Sequence, residues 1–191
     1  MFNLILFGSP GSGKGTQSVK IAAKYNFAHI STGDIFRKEI KNNTELGKRV
    51  SGIIEKGDLV PDELLVEILE NAMGKYSGVN GFIFDGFPRT IQQAIHLDKL
   101  LGKTGDCVSL VLALEVNEDE VIERLLIRAR EQGRKDDTEE VIRNRMKVYN
   151  TQTSPLIDYY KNQDKYSSLP GIGSIDDIFY NICKIIDRQM L

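Results

Sequence analysis

Residues 8–16 read Gly8-Ser9-Pro10-Gly11-Ser12-Gly13-Lys14-Gly15-Thr16, and this stretch decides the fold. It follows the apolar run Phe2–Phe7 directly and leads into a helical pattern, which is the strand, loop, helix order that a phosphate-binding loop needs. Glycines let the backbone curl with successive N–H groups turned inward, the next helix adds the positive end of its dipole, and Lys14 adds a full charge. The loop therefore predicts a polyphosphate ligand.

Gly15 follows the lysine, so the hydroxyl of Thr16 comes one place later than in the pattern G-x-x-x-x-G-K-[ST]. This departure argues against direct ligation of Mg²⁺ by the residue after the lysine, and it resembles the loop of nucleoside monophosphate kinases. A glycine-rich turn without function is the alternative. The strand before the loop, the lysine inside it and the helix after it favour phosphate binding.

The composition limits the other classes of function. The chain has 191 residues, with 25 Lys plus Arg against 27 Asp plus Glu and a formal charge of -2, and its pI is about 5.8. This balance argues against general binding to nucleic acids or membrane surfaces, so any basic site must be local. The length suits one compact α/β domain, and we expect no second one.

The N-terminus and the cysteines favour a cytoplasmic protein. The residues before the glycine loop lack a basic segment, so we expect no signal peptide, and no apolar run approaches the length of a membrane span. Cys107 and Cys183 are far apart and lack the C-x-x-C spacing of a metal site or a redox pair. We therefore expect two buried free thiols.

Apolar runs alternate with helical patterns along the chain, which predicts a parallel sheet covered by helices on both faces. The predicted strands are residues 2–7, 27–30, 81–85, 108–114 and 166–169. Ligands bind such a sheet at the carboxyl ends of its strands. Two helical stretches, 34–41 and 44–56, come between the second and third strands, either as a longer crossover or as a movable substrate flap.

Three short patterns around the second strand predict local structure. Val19 and two alanines recur at helical spacing within 16–25, which predicts the first helix. Ser31 and its polar neighbours form a helix start. His29 has one other histidine in the chain, His96, and no evident partner, so we interpret it as structural and assign it no chemistry.

The third strand, Gly81–Asp85, ends in a carboxylate. An acid at this place, beside a phosphate loop, faces Mg²⁺ or its water shell in phosphoryl-transfer proteins, whereas an isolated Asp after a strand usually caps a turn. The residues that follow make the first interpretation stronger. Gly86-Phe87-Pro88-Arg89-Thr90 holds an arginine on a turn stiffened by proline, before an amphipathic helix over 91–101.

Basic residues cluster after the fourth strand. They are Arg124, Arg128, Arg130, Arg134, Lys135, Arg143 and Arg145. The acidic stretch 136–140 starts the helix that carries the last two. A charged face in solvent explains Arg130, Lys135 and Arg143, whereas Arg128, Arg134 and Arg145 belong to a motif.

Four motifs together identify a family. They are G-S-P-G-S-G-K-G-T at 8–16, S-T-G-D-I-F-R at 31–37, D-G-F-P-R-T with Gln93 from Asp85 onward, and G-R-K-D-D with a later R-N-R between Gly133 and Arg145. In this order, over nearly the whole chain, they closely resemble adenylate kinase. The resemblance implies reversible, Mg²⁺-dependent phosphoryl transfer from ATP to AMP, which gives two ADP and serves adenine-nucleotide homeostasis.

The resemblance also implies the site residues. The ATP phosphates would be held by Gly11, Ser12, Gly13, Lys14, Gly15 and Thr16, with Arg128 in contact with ATP and the turn at Gly173 touching the donor adenine. AMP would be held by Thr32, Arg37, the backbone at Leu59 and Val60, Gly86, Arg89 and Gln93, and Arg134 and Arg145 would close on the phosphates of both nucleotides. The implied catalytic set is Lys14, Arg89, Arg128, Arg134 and Arg145.

The implied architecture is a P-loop NTPase-type, five-stranded parallel sheet flanked by helices, in one kinase domain. Its core covers 1–30, 61–127 and 138–191, a helical AMP-binding flap covers 31–60, and a short lid covers about 128–137. Only residues 129–133 separate Arg128 from Arg134, where the long form of the family carries a sizeable lid, sometimes with four zinc-binding cysteines. We therefore expect no structural zinc, Mg²⁺ held mainly by ATP phosphates and water with Asp85 nearby, and a monomer with no nucleic-acid or membrane partner.

Three alternatives change the substrate or the class of protein. Uridylate-cytidylate kinases share the fold and most arginines, but they usually carry alanine at the place of Thr32 and asparagine at the place of Thr90. Gln93, an amide that can pair with the edge of adenine, also favours AMP. A guanine-specific switch protein is expected to carry N-K-x-D, which this sequence lacks, and a switch does not explain the arginines. A scaffold protein would keep its function in Lys14→Ala.

Overall fold

Five parallel strands form the centre of the molecule in the computed structural model, which describes residues 1–134 and 137–191. The strands are β1 (Phe2–Phe7), β2 (Phe27–Ser31), β3 (Gly81–Asp85), β4 (Leu110–Glu115) and β5 (Tyr166–Pro170). They lie in the order β2-β3-β1-β4-β5, and every neighbouring pair is parallel. The predicted five-stranded parallel sheet is confirmed.

Helices connect the strands. They are α1 (Lys14–Tyr25), α2 (Thr32–Lys41), α3 (Glu45–Lys56), α4 (Asp62–Met73), α5 (Ile91–Gly102), α6 (Glu118–Gln132), α7 (Glu139–Val148), α8 (Leu156–Lys161) and α9 (Ile175–Gln189), with a π-helical turn at Tyr149–Thr153. Six helices begin at a Ser, Thr or Asn whose side chain accepts a hydrogen bond from the N–H three residues later. Each such cap stabilises its helix by about 1 kcal/mol, so the sequence fixes these starting points locally.

The sheet divides the core into two layers because successive side chains of a strand point to opposite faces. On one face, Ile5 and Phe7 of β1 pack in a cluster with residues of α4, α5 and α8. On the other face, Leu4 and Leu6 pack with residues of α1 and α9. Burial of each large aliphatic or aromatic side chain contributes about 1.5–3 kcal/mol, so both helical layers are held firmly against the sheet.

The strand register brings the carboxyl ends of three strands to one level. Leu6 of β1 pairs with Asp85 of β3, and Asp85 in turn pairs with Ser31 of β2. The glycine loop, the start of α2 and the turn after β3 therefore leave the sheet side by side. This edge is where a parallel α/β sheet binds ligands.

Several sequence expectations need correction. The fourth strand begins at Leu110, two residues later than predicted. Cys107 is exposed, so the expectation of two buried thiols is wrong for it, whereas Cys183 is buried. Val19, whose spacing helped to predict α1, is 60% exposed.

Lys135 and Asp136, to which the sequence assigned a solvent face and a helix start, lie outside the described residues. Within the part of the chain that the structure describes, no helix has both the length and the apolar character needed to cross a membrane.

Candidate active site

The backbone of the glycine loop after β1 curves tightly because three of its glycines take positive φ angles. These angles are 138° at Gly8, 79° at Gly11 and 94° at Gly13. A Cβ at Gly8 would lie 2.6 Å from Ser12 Oγ and 2.7 Å from the Leu114 carbonyl oxygen, so no larger residue fits there. Because Gly13 provides no side-chain cap to α1, the N–H groups of the first turn stay available to an anion.

Lys14 points into this loop. Its Nζ donates hydrogen bonds to the carbonyl oxygens of Gly8 and Ser9, each at 2.8 Å, and to Ser12 Oγ at 3.3 Å. Burial lowers the pKa of the Lys14 ammonium to about 8, with Arg89 and Arg128 acting in the same direction and the Asp85 carboxylate opposing them. A buried cation of this kind gains stability when an anion joins it, so the loop centre favours a negatively charged ligand.

The buried hydroxyl of Ser9 has no hydrogen-bond partner among the described residues. Buried polar atoms are nearly always paired with protein, water or a ligand. This hydroxyl can therefore donate to an anion beside the Lys14 ammonium, as expected for the cradle of an oxyanion.

Asp85 ends β3 beside the loop. Its Oδ2 would lie 3.6 Å from a Cβ at Gly15, and it lies 3.6 Å from His29 Nε2. His29, which has no evident partner in the sequence, lies next to this carboxylate and lines the same cleft. Among the described residues, no group of three or more His, Cys, Asp or Glu side chains could hold a metal ion.

The turn after β3 fixes Arg89 by several hydrogen bonds. Its Nε donates to the Gly86 carbonyl oxygen at 2.8 Å, and Thr32 Oγ1 donates to the same oxygen at 3.1 Å. Thr153 Oγ1, from the π-helical turn, donates to the Arg89 carbonyl oxygen at 2.9 Å. Burial and the nearby Arg145 lower the pKa of the Arg89 guanidinium, which nevertheless stays charged at neutral pH.

Asp137 connects two more arginines. Its carboxylate accepts two hydrogen bonds from Arg128, at 2.7 and 2.8 Å, and one from Arg145 at 2.9 Å. The Asp137 side chain is fully buried, so it neutralises positive charge while it orients both guanidinium groups. It thereby links the end of α6 to α7.

Helix α7 also contacts the end of α3. Asn144 Nδ2 donates to the Lys56 carbonyl oxygen at 2.7 Å and to Asp58 Oδ1 at 3.0 Å. A Cβ at Gly57 would lie 3.0 Å from Arg145 Cγ. The predicted flap and the arginine-bearing helix therefore meet at the base of the flap.

Most of these groups line one cleft of about 790 Å³ at the carboxyl ends of the strands, whereas Ser9, Asp137 and Asn144 lie outside its lining. It contains every site residue predicted from the sequence, namely Gly11, Ser12, Gly13, Lys14, Gly15, Thr16, Thr32, Arg37, Leu59, Val60, Asp85, Gly86, Arg89, Gln93, Arg128, Arg134, Arg145 and Gly173. Their individual roles stay predictions. Among the described lining residues, seven are Lys or Arg and three are Asp, so a chain of net charge -2 concentrates positive charge at this place.

Three polar residues of the site were not predicted from the sequence. Asp137 and Thr153 hold arginines of the cleft, as described above. Arg124 lines the cleft, donates to the Gly171 carbonyl oxygen at 3.0 Å and pairs with Glu120. Its spacing of four residues from Arg128, which puts both on one helix face, was the available signal.

Two of the residues assigned to a solvent face are exposed. Arg130 is exposed, and Arg143 pairs with Glu139 one turn earlier on α7, with Nη2 2.8 Å from Oε1. Neither lines the cleft.

Comparison with known proteins adds independent information. A family model described as "Adenylate kinase" matches residues 6–165. The adenylate kinase of Bacteroides thetaiotaomicron is 53% identical over 188 residues, which cover 98% of this chain and 100% of that protein. The adenylate kinases of Phocaeicola vulgatus and Flavobacterium psychrophilum are 50% and 47% identical, each over 98% of this chain and 100% of their own length.

Proposed function

The chain belongs to the adenylate kinase family and transfers a phosphoryl group from ATP to AMP, and we propose that the two nucleotides bind at opposite ends of the cleft. The names of the relatives do not favour the uridylate-cytidylate alternative. The observation that carries the proposal is the single cleft in which the phosphate loop and six arginines face one another.

Two bound nucleotides explain the distribution of charge. The reaction requires the γ-phosphoryl group of ATP to lie in line between its leaving oxygen and an AMP phosphate oxygen, with the developing charge neutralised. Arginine grips phosphate bidentately because its donors form a planar fork. No general base is needed, since an AMP phosphate oxygen is already anionic at neutral pH.

The donor end is the phosphate loop. We assign the ATP phosphates to the backbone of residues 11–13, to Lys14, Gly15 and Thr16, and to Arg128. The positive φ angles of the loop glycines and the uncapped start of α1 support this assignment. The turn at Gly173, with a φ of 120°, lines the cleft beside the loop and is the proposed contact of the donor adenine.

The acceptor end is the turn after β3 together with the start of α2. We assign the AMP phosphate to Arg37 and Arg89, and the base and ribose to Thr32, Gly86, Gln93 and the backbone at Leu59 and Val60. Arg134 and Arg145 close on the phosphates of both nucleotides. Support comes from the hydrogen bonds that hold Arg89 and Gln93 in fixed orientations.

Mg²⁺ is proposed to bind together with ATP. When bound, it would neutralise negative charge on the phosphate oxygens of the nucleotide. A single carboxylate beside the loop, Asp85, fits an ion that takes most of its oxygen ligands from phosphates and water. Asp85 would therefore hold the water shell of the ion rather than form a cage around it, and its carboxylate is close enough to Lys14 to raise the pKa of that ammonium against the effect of burial.

Residues 31–60 form the proposed flap and residues 128–137 the proposed lid. The flap holds α2 and α3, and the described part of the lid begins as the last turn of α6. Water competes with AMP for the phosphoryl group, so closure upon binding of both nucleotides protects the reaction. Slow ATP hydrolysis without acceptor is the expected consequence, and hydrolysis as fast as AMP phosphorylation would contradict it.

We further propose a monomeric, cytoplasmic enzyme with no nucleic-acid or membrane partner. The formal charge of -2 supports the absence of a nucleic-acid or membrane partner.

Steady-state formation of ADP from MgATP tests the proposal with AMP, CMP, UMP, GMP or no acceptor in parallel. We expect strong preference for AMP and little background hydrolysis. Preference for a pyrimidine nucleotide would overturn the assignment of Thr32 and Gln93, and binding of ATP without transfer would overturn the two-nucleotide site.

A further inference from the structure

The carboxamide of Gln93 is held at both of its ends. Gln93 is 1% exposed, and its Oε1 accepts a hydrogen bond from the Arg89 backbone N–H at 2.7 Å. Its Nε2 donates to Asp62 Oδ1, also at 2.7 Å. Asp62 is the first residue of α4 and directly follows the segment 59–61 at the base of the proposed flap.

The two partners define one orientation of the amide. A backbone N–H can only donate and an ionised carboxylate can only accept, so a rotation of the carboxamide by 180° would place donor against donor and acceptor against acceptor. The carboxylate bond is charge-assisted and therefore stronger than a neutral hydrogen bond. One hydrogen on Nε2 and one lone pair on Oε1 remain for a ligand.

This orientation matters because purine bases differ in the order of donors and acceptors along one edge. Adenine presents an acceptor at N1 and a donor at its 6-amino group, which matches an Nε2–H and an Oε1 in fixed positions. Hypoxanthine and guanine present a donor at N1 and an acceptor at O6, the reverse order. A carboxamide that could rotate freely would pair with either base.

We propose that Asp62 is a specificity-determining positioning residue, which holds the Gln93 carboxamide in the orientation that accepts adenine and rejects 6-oxopurines as the acceptor base. This inference rests on the proposed function, in which Gln93 contacts the base of AMP. Asp62 acts through Gln93 and does not itself touch the nucleotide.

The test is the ratio of kcat/KM for AMP to kcat/KM for inosine monophosphate, measured with saturating MgATP on Asp62→Asn. An asparagine side chain can offer either its oxygen or its nitrogen to Gln93, so it removes the preference for one orientation and keeps the shape. We expect the ratio to fall by about tenfold, the scale of one hydrogen bond to a charged group, while the KM for ATP stays within twofold. An unchanged ratio would overturn the proposal.

Two further variants separate this inference from the proposed function. Glu63→Gln removes a charge from the next, exposed residue of the same helical turn, and we expect no change in the ratio. Gln93→Leu should lower the ratio, and adding Asp62→Asn to it should have no further effect, because the group that Asp62 orients is gone.

Each outcome has one meaning. If Gln93→Leu leaves the ratio unchanged, the assignment of Gln93 to the AMP base fails, and the role of Asp62 fails with it. If Gln93→Leu lowers the ratio but Asp62→Asn does not, only the role of Asp62 fails. Both acceptors are assayed on the same preparation, so any unfolded fraction cancels from the ratio.

Discussion

The two ends of the cleft use different parts of the protein. At the donor end, the backbone of the loop, shaped by glycines with positive φ angles, surrounds one lysine. At the acceptor end, side chains dominate, and three of them are held by a residue from elsewhere in the chain: Gln93 by Asp62, Arg89 by Thr153, and Arg145 by Asp137. A backbone site is fixed by its own short sequence, whereas a side-chain site depends on residues that only the fold brings near.

Arg89→Ala should have the largest effect at the acceptor end. The guanidinium is buried and fixed by the Gly86 carbonyl oxygen, so the variant loses a preorganised charge at the transferring phosphate. We expect kcat/KM to fall by roughly 10²-fold or more in a coupled assay of ADP formation. Arg143→Ala, on the exposed surface of α7, is the matched control, and its kcat/KM should stay within a few-fold of wild type. A kcat/KM of Arg89→Ala within a few-fold of wild type would contradict the role of Arg89.

Asp137→Asn tests whether a residue that orients arginines affects the rate as much as an arginine of the site does. The buried carboxylate orients Arg128 and Arg145, so its neutral isostere should lower kcat by about tenfold, the scale of one to two charge-assisted hydrogen bonds. Stability should fall by about 2 kcal/mol in urea, less than for a fully buried pair, because the Arg128 side chain is 27% exposed. Unchanged kcat with lower stability would make Asp137 purely structural.

The donor end should respond to pH through Lys14. The pKa of its ammonium is about 8, and bound phosphates raise that pKa, so binding takes up a proton wherever Lys14 is deprotonated beforehand. Affinity for MgATP should therefore be full below about pH 7 and weaken by about tenfold between pH 7 and pH 9. Calorimetry in buffers of different ionisation enthalpy measures this uptake, and Lys14→Met should abolish it.

Thr153→Val should have the smallest effect. It keeps the shape of the side chain and removes one hydrogen bond to the Arg89 carbonyl oxygen, whose net value is about 1 kcal/mol. We expect the KM for AMP to rise about fivefold, with the KM for ATP unchanged. An equal rise in both KM values would mean that Thr153 acts on the whole cleft rather than on the acceptor end.

The same contrast explains what could be predicted from the sequence. The loop, the strand before it and a helix start such as Ser31 depend on neighbouring residues, so local patterns were sufficient to predict them. Helix α1 was harder, because it buries polar Gln17 and Ser18 and exposes Val19. Gln17 Nε2 donates to the Ile175 carbonyl oxygen at 2.9 Å, a contact across 158 residues that no periodicity indicates.

The residues that hold the acceptor-end side chains in place could not be predicted from the sequence, for physical reasons. Asp137 belongs to an acidic run that the start of α7 explains on its own, so the sequence could not show that this carboxylate is buried between two arginines. Thr153 lies in a π-helical turn, whose spacing differs from that of an α-helix. Asp62 looks like an ordinary acidic residue in the first turn of a helix.

Separate titrations of AMP and of MgATP into wild type and Gln93→Leu test the division of the cleft most directly. We expect each nucleotide to bind wild type in the absence of the other. Gln93→Leu should weaken AMP binding by at least about tenfold, while the Kd for MgATP changes by less than twofold. If both affinities fall together, the two ends are not separate donor and acceptor sites, and if AMP binds as well as before, Gln93 does not contact AMP at the acceptor end.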